Sequence, residues 1–259
     1  NAILFSDVPS NKIYQWDESS GLKVFIEPSG YTGVVPNNTK KGSNGLVINK
    51  EGQLVLCMVG DRRVSKLSDF FDKKFITIID NFKGNLFNSP NDLVYAENGD
   101  LFFTDPPGGL LKKDDDELKE LPFNGVFKLT KSGVLSLLIK NLTRPNGIGI
   151  SKDQKTLYVS NSDPNNPIIM SYEIVPDGVK NSKVFFDGKE LSKKYIGNFD
   201  GLKIHPSGAI FSTGPGGVLI ISKDGEHLGT IKTDERTSNC DFDSHYNYLY
   251  MTTDMYLTR

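Results

Sequence analysis

Five short segments open on an Asn or an Asp: Asn44-Gly45-Leu46, Asn91-Asp92-Leu93, Asn146-Gly147-Ile148, Asp200-Gly201-Leu202 and Asn239-Cys240-Asp241. Taken singly, an Asn or Asp ahead of a glycine or a strand is ordinarily a turn residue bonded to its own backbone. Five at equivalent points of a repeat would instead bring amide and carboxylate oxygens to one place, although turn chemistry copied by duplication gives the same recurrence. Asp200 is the discriminating member, because it adds a negative charge to a cluster of amide oxygens. Hard oxygen donors carrying few charges suit Ca²⁺, or less tightly Mg²⁺ or Mn²⁺, and suit soft metals poorly. Such a cation would want a second carboxylate. No Ser stands in a Gly-x-Ser-x-Gly elbow, which disfavours an acyl-enzyme route.

The elements that must position these residues are strands. Twenty-five Gly and thirteen Pro punctuate short β-branched and aromatic runs, and no stretch keeps an apolar period of 3.6 long enough for a core helix. One pattern recurs six times: a turn residue, an aliphatic residue, two mostly apolar residues, then usually a small or hydroxyl residue. The copies are Ala2-Ile3-Leu4-Phe5-Ser6, Gln53-Leu54-Val55-Leu56-Cys57, Asp100-Leu101-Phe102-Phe103-Thr104, Thr156-Leu157-Tyr158-Val159-Ser160, Ala209-Ile210-Phe211-Ser212-Thr213 and Tyr248-Leu249-Tyr250-Met251-Thr252. From Ile3 to Leu249 the spacings are 51, 47, 56, 53 and 39 residues, the range of a four-stranded propeller blade. The expected fold is all-β, a six-bladed β-propeller forming a single domain over residues 1–259. The first strands of the blades would then line a central channel, with the five Asn and Asp residues at one mouth. The first copy has no Asn- or Asp-led partner upstream, so the first blade is expected to be incomplete here. Its innermost strand and the strand that closes the ring would lie ahead of Asn1.

Composition narrows the partners. Thirty Lys and Arg against thirty-two Asp and Glu give a net charge of −2, with no basic stripe to follow a phosphate backbone, so no nucleic-acid partner is expected. The apolar runs fall far below the roughly 18 residues of a membrane-spanning helix. Cys57 and Cys240 match no zinc spacing and, on blades two and six, would remain buried thiols. His205, His227 and His245 read as structural or solvated, the 112–120 charge run as a solvated loop or helical turn, and Asn37 to Lys41 as a polar loop tip. The compartment stays open.

Several longer motifs carry a resemblance. Ser89-Pro90-Asn91-Asp92-Leu93, Leu101-Phe102-Phe103-Thr104-Asp105-Pro106-Pro107, Arg144-Pro145-Asn146-Gly147-Ile148, Phe199-Asp200-Gly201-Leu202-Lys203 and Thr213-Gly214-Pro215-Gly216-Gly217-Val218 resemble, in order, the gluconolactonase and regucalcin (senescence marker protein) family of six-bladed propellers. The resemblance implies a lactone hydrolase with one divalent cation, Ca²⁺ first and Mg²⁺, Mn²⁺ or Zn²⁺ as the other candidates. It places metal ligands on Asn146 and Asp200, and puts Asn91 on the cation or on the substrate beside it. The family's metal-binding Glu belongs to a Glu-Gly-Pro in a segment ahead of Asn1. Two positions depart from the pattern: Val59 stands where similar proteins carry His, and Gly108 where they carry Tyr. Both remove surface that could hold a sugar.

On this reading a water attacks the lactone carbonyl, the dication stabilises the developing oxyanion, and Asp200 accepts the water's proton. Asp105 is either a second proton acceptor or a turn cap before Pro106-Pro107. Asn44, Asn91 and Arg62 are the candidates for holding substrate, Arg62 having a surface or inter-blade ion pair as its alternative. The partner expected is a small-molecule lactone, on a monomer or homodimer. Rival readings are phosphotriester or aryl-ester hydrolysis at the same site, and a non-catalytic propeller that binds a ligand or Ca²⁺.

Overall fold

A strand in the middle of a blade is covered on both faces by neighbouring blades, so its sequence reads as a continuous apolar run rather than an alternation. Leu54-Val55-Leu56-Cys57-Met58 and Leu101-Phe102-Phe103-Thr104-Asp105 behave in this way: every residue of both is buried. Last strands of blades look outward and carry polar residues, as in Gly21–Ile26, where Leu22, Lys23 and Val24 are exposed.

The computed structural model describes residues 2–35 and 41–259, so the loop tip read at 37–41 lies, Lys41 apart, outside the described residues. The chain divides into two compact units, Asn1–Asn141 and Leu142–Arg259. In the first unit, β1 (Ile3–Asp7), β2 (Lys12–Asp17) and β3 (Gly21–Ile26) form one antiparallel meander. A second consists of β4 (Ser43–Ile48), β5 (Leu54–Met58), β6 (Arg63–Leu67) and β7 (Phe75–Ile79). A two-stranded ribbon, β8 (Asn81–Phe82) with β9 (Asn85–Leu86), precedes the third meander of β10 (Leu93–Tyr95), β11 (Leu101–Asp105), β12 (Gly125–Leu129) and β13 (Leu135–Ile139). The 112–120 charge run holds one exposed 3₁₀ turn, Lys113–Asp115.

The second unit repeats the scheme. Its meanders are β14 (Pro145–Ile150), β15 (Thr156–Asn161), β16 (Ile168–Val175) and β17 (Gly178–Asp187); then β18 (Leu202–Ile204), β19 (Ile210–Gly214), β20 (Gly217–Ile221) and β21 (His227–Lys232); then β22 (Thr237–Phe242), β23 (Leu249–Thr253) and β24 (Tyr256–Thr258). One four-residue helix, α1 (Lys189–Ser192), interrupts the strands. Six meanders in series are the blades of a six-bladed β-propeller, three in each unit, and the six repeat copies are β1, β5, β11, β15, β19 and β23.

Within each unit the core lies between consecutive blades. Val55, Cys57 and Val64 of the second blade pack on Phe87, Leu93, Phe103 and Phe127 of the third. Phe87 meets Phe103 edge-on at a centroid distance of 5.2 Å, and Phe103 stacks on Phe127 at 5.3 Å. In the second unit Tyr158 and Ile169 pack on Phe199, Leu202, Ile210 and Leu219. Both cysteines are buried free thiols.

The Asn-Gly pairs fall at bulges. Ser43 pairs with Met58 and Leu46 with Leu56, so three steps on β4 oppose two on β5; Pro145 to Ile148 oppose Asn161 to Val159 in the same ratio. Each bulge turns a glycine N–H out to the next blade. Gly45 donates to the Asn91 carbonyl at 2.7 Å, and Gly147 to the Asp200 carbonyl at 3.1 Å. A Cβ on Gly147 would stand 2.2 Å from the Asp200 oxygen, and one on Gly45 2.8 Å from the Asn91 oxygen. Hydroxyls that end repeat copies secure such junctions: Ser6 Oγ donates to the Asn44 carbonyl at 2.7 Å, Ser160 Oγ to the Asp200 carbonyl at 2.6 Å, and Thr213 Oγ1 to the Ser238 carbonyl of the next blade at 3.3 Å.

Because backbone cannot retreat as a flexible side chain does, Gly147→Ala is expected to cost about 3 kcal/mol, the upper range of overpacking. Urea unfolding measures it, and an unchanged midpoint would show that the blades separate at no cost.

Candidate functional site

The predicted site residues distribute over both units. In the second, Asn146 lies in the β14 bulge and is 9% exposed, while Asp200 is half-buried two residues ahead of β18. Asn146 Nδ2 donates to Ser162 Oγ at 2.9 Å, and Ser162 Oγ donates in turn to the Phe199 carbonyl. Ser162 thus ties the Asn146 amide to the residue preceding Asp200, while Ser160 and Gly147 bond the Asp200 carbonyl itself. With Nδ2 spent on Ser162, the remaining polar atom of the Asn146 side chain is its Oδ1, a hard oxygen. Ser162 went unnoticed in the sequence. Its only signal was a second hydroxyl two residues beyond the one that ends the repeat copy.

In the first unit Asn44 and Asn91 are both half-buried and joined through the Gly45 N–H. The Asn91 N–H donates to the Thr104 carbonyl at 2.8 Å, which fixes the approach to β10. Asn239, the fifth member of the series, lies in the β22 bulge of the second unit and accepts the Cys240 N–H on its own Oδ1 at 2.9 Å, the local turn bond expected of a lone Asn.

Asp105 and Arg62 are both held by backbone groups of the 86–89 segment. Asp105 is fully buried at the end of β11, with Oδ2 accepting the Asn88 N–H at 2.8 Å and Oδ1 the Ser89 N–H at 2.7 Å. The Asn88 amide is held in turn by the Asp105 and Phe123 carbonyls. The carboxylate therefore pins the turn that leads through Pro90 to Asn91, rather than meeting solvent. Arg62 has a left-handed φ of 57°; its Nε donates to the Phe87 carbonyl at 2.6 Å and its Nη1 stands 3.5 Å from Glu120. Only 4% of that side chain is exposed, and the guanidinium links the second blade to the third.

The two departures have a common neighbour. Val59 is 4% exposed and lies against the Pro107–Gly109 turn: a Cβ added to Gly109 would stand 2.5 Å from Val59 Cγ1 and 2.4 Å from Ser89 Cβ. Gly108 is exposed with open space around it. A valine side chain offers no hydrogen bond there, and the glycine offers no ring.

Among the described residues no three His, Cys, Asp or Glu side chains converge as a metal cluster. By donor type the residues present do fit a hard divalent cation, since Asn146 and Asp200 bring an amide and a carboxylate oxygen and Ser162 already orients the amide.

Burial pushes the Asp105 carboxyl up to about 7, against the two backbone N–H bonds and the more distant Arg62, which favour its charged form. The folded state then holds a proton that the unfolded chain releases near 3.8, so stability from this group is full below that pH and is lost as pH rises toward 7. Asp105→Asn lacks the titration and leaves one N–H facing an amide NH₂. Its stability deficit relative to the parent is expected to be largest near pH 4 and to shrink by pH 8. Urea midpoints across that range test this, and a deficit independent of pH would refute it.

Known proteins resemble this chain at family level. The family model for the SMP-30/gluconolactonase/LRE-like region matches residues 1–255. The gluconolactonase of Zymomonas mobilis subsp. mobilis is 37% identical over 251 residues, covering 93% of this chain and 70% of that protein. Among solved structures, a gluconolactonase of Xanthomonas campestris superposes with a TM-score of 0.83 at 26% identity, over 97% of this chain and 79% of the other. The calcium-binding protein regucalcin of Agrobacterium tumefaciens shares the fold, with a TM-score of 0.71 at 16% identity over 95% of this chain and 75% of that one. By matched length and by identity, this chain belongs to the SMP-30/gluconolactonase/LRE-like family.

Proposed function

We propose that the protein hydrolyses a sugar lactone, an aldonolactone of the gluconolactone type, by attack of water on the ring ester. The observation that carries this reading is the 37% identity to the Zymomonas gluconolactonase across 93% of the chain. The second unit supplies the chemistry. Asp200 is half-buried, and its backbone is held by Gly147 and Ser160, so its carboxylate can be presented at a fixed place. In the proposed reaction that carboxylate accepts the proton of the attacking water, a general-base contribution of about 10² to 10⁴ in rate.

Asn146 has the complementary part. Ser162 holds its Nδ2, and the amide oxygen is proposed as the acceptor or ligand. A divalent cation held by Asn146 and Asp200 would supply Lewis acidity toward the lactone carbonyl. Asn91 and Asn44, on backbone fixed by the Gly45 bond, are proposed as hydrogen-bonding groups for substrate hydroxyls. Asp105 is retained only as a positioning residue, acting through the 88–91 turn.

With D-glucono-1,5-lactone as substrate and proton release as readout, Asp200→Asn is expected to lower kcat/KM at least about 100-fold while leaving the urea midpoint close to that of the parent. Asn146→Ala is expected to raise the Ca²⁺ concentration that restores activity after chelation. Unchanged hydrolysis in Asp200→Asn would remove the site from the reaction.

A further inference from the structure

At the opposite ends of the strands from Asn44 and Asn91, the β4–β5, β10–β11 and β12–β13 turns of the first unit surround a cleft of about 520 Å³. That volume lies within the range of small-molecule sites. Leu101, Leu129, Ile78 and the ring of Tyr95 provide apolar surface, and Lys66 enters from β6. Three ammonium groups, those of Lys50, Lys66 and Lys131, face two carboxylates, Glu51 and Glu97, leaving one positive charge in excess.

Among the described residues none of the three lysines is in an ion pair. Lys66 Nζ donates to Gln53 Oε1 at 3.1 Å, and that oxygen also accepts Asn49 Nδ2 at 3.2 Å. Lys50 Nζ donates to the Glu97 carbonyl at 2.5 Å, which spans the second and third blades and holds the two turns together. Lys131 has an exposed side chain on the β12–β13 turn. The Tyr95 hydroxyl takes no partner among the described residues, and burial, with Glu51 nearby, raises its pKa, so it stays a neutral donor. A half-buried cation bonded only to a neutral amide, in a cleft that a neutral phenol and an apolar surface also line, matches a ligand with one negative charge and an apolar body. A dianion would meet Glu51 and Glu97 with too few cations to balance it.

We infer that this cleft is a second binding site, separate from the lactone site, for an amphipathic monocarboxylate such as an arylacetate, its carboxylate on Lys66 and Tyr95 and its apolar part on Leu101 and Leu129. The inference does not depend on the reaction proposed above. Fluorine NMR titration with 4-fluorophenylacetate tests it, with 4-fluorobenzyl alcohol and inorganic phosphate as comparison probes.

Saturable binding of the arylacetate is expected in the millimolar range, weakened about tenfold in Lys66→Met and less in Lys131→Met, and equal to the parent in Asp200→Asn. The alcohol and phosphate are expected to bind at least about fivefold more weakly than the arylacetate. Circular dichroism confirms that each variant is folded. No saturation by 20 mM, equal affinity in folded Lys66→Met, loss of binding in Asp200→Asn, or alcohol or phosphate binding as tightly as the arylacetate would each overturn the assignment.

Discussion

Where the second blade meets the third, and the fourth the fifth, the first strand of one comes so close to the first strand of the next that an amide hydrogen bond bridges them. Gly45 reaches the Asn91 carbonyl and Gly147 the Asp200 carbonyl, and neither position has room for a Cβ. The bulge before each glycine turns its N–H out of the ladder and toward the neighbour. The hydroxyl that closes the repeat then binds a carbonyl at the junction, as Ser6 and Ser160 do. A rigid contact of this kind repeats because the sequence unit repeats.

The candidate chemistry follows from that contact. The residue whose carbonyl accepts the bond is the Asn or Asp whose side chain is proposed to act, so close packing and side-chain presentation share one backbone segment. Ser162 extends the arrangement by joining the Asn146 amide to Phe199, which is itself packed in the core of the second unit. Movement of Asp200 would therefore disturb a core aromatic residue, two hydroxyl bonds and a glycine contact together.

Elsewhere polar residues are spent on holding loops. Asp105, out of water, collects the two N–H groups of the turn before Pro90, and Arg62 collects the Phe87 carbonyl and Glu120. Buried polar groups are retained where their hydrogen bonds are made, and leaving one unmade costs more than making it gains. The Thr32 N–H and hydroxyl, with Arg63, satisfy Asp61 in the same manner. The same meanders leave their other ends wetter, and there lysines meet amide and carbonyl oxygens rather than carboxylates.

Much of the architecture was legible in the amino-acid order, because blade periodicity is local: six copies of one apolar hairpin, each closed by a turn, specify six meanders whatever packs against them. The Asn and Asp series, and the small or hydroxyl residue ending each copy, could be read in register for the same reason. What those hydroxyls bind could not be read. Ser160 meets a carbonyl forty residues later, at position 200, and Asp105 meets N–H groups sixteen and seventeen residues earlier. Whether a carboxylate faces substrate or two amides, and whether an arginine holds a ligand or a carbonyl, depends on which distant backbone arrives beside it. Tertiary packing alone decided that, since burial and hydrogen-bond partnership belong to the folded neighbourhood and not to the residue type.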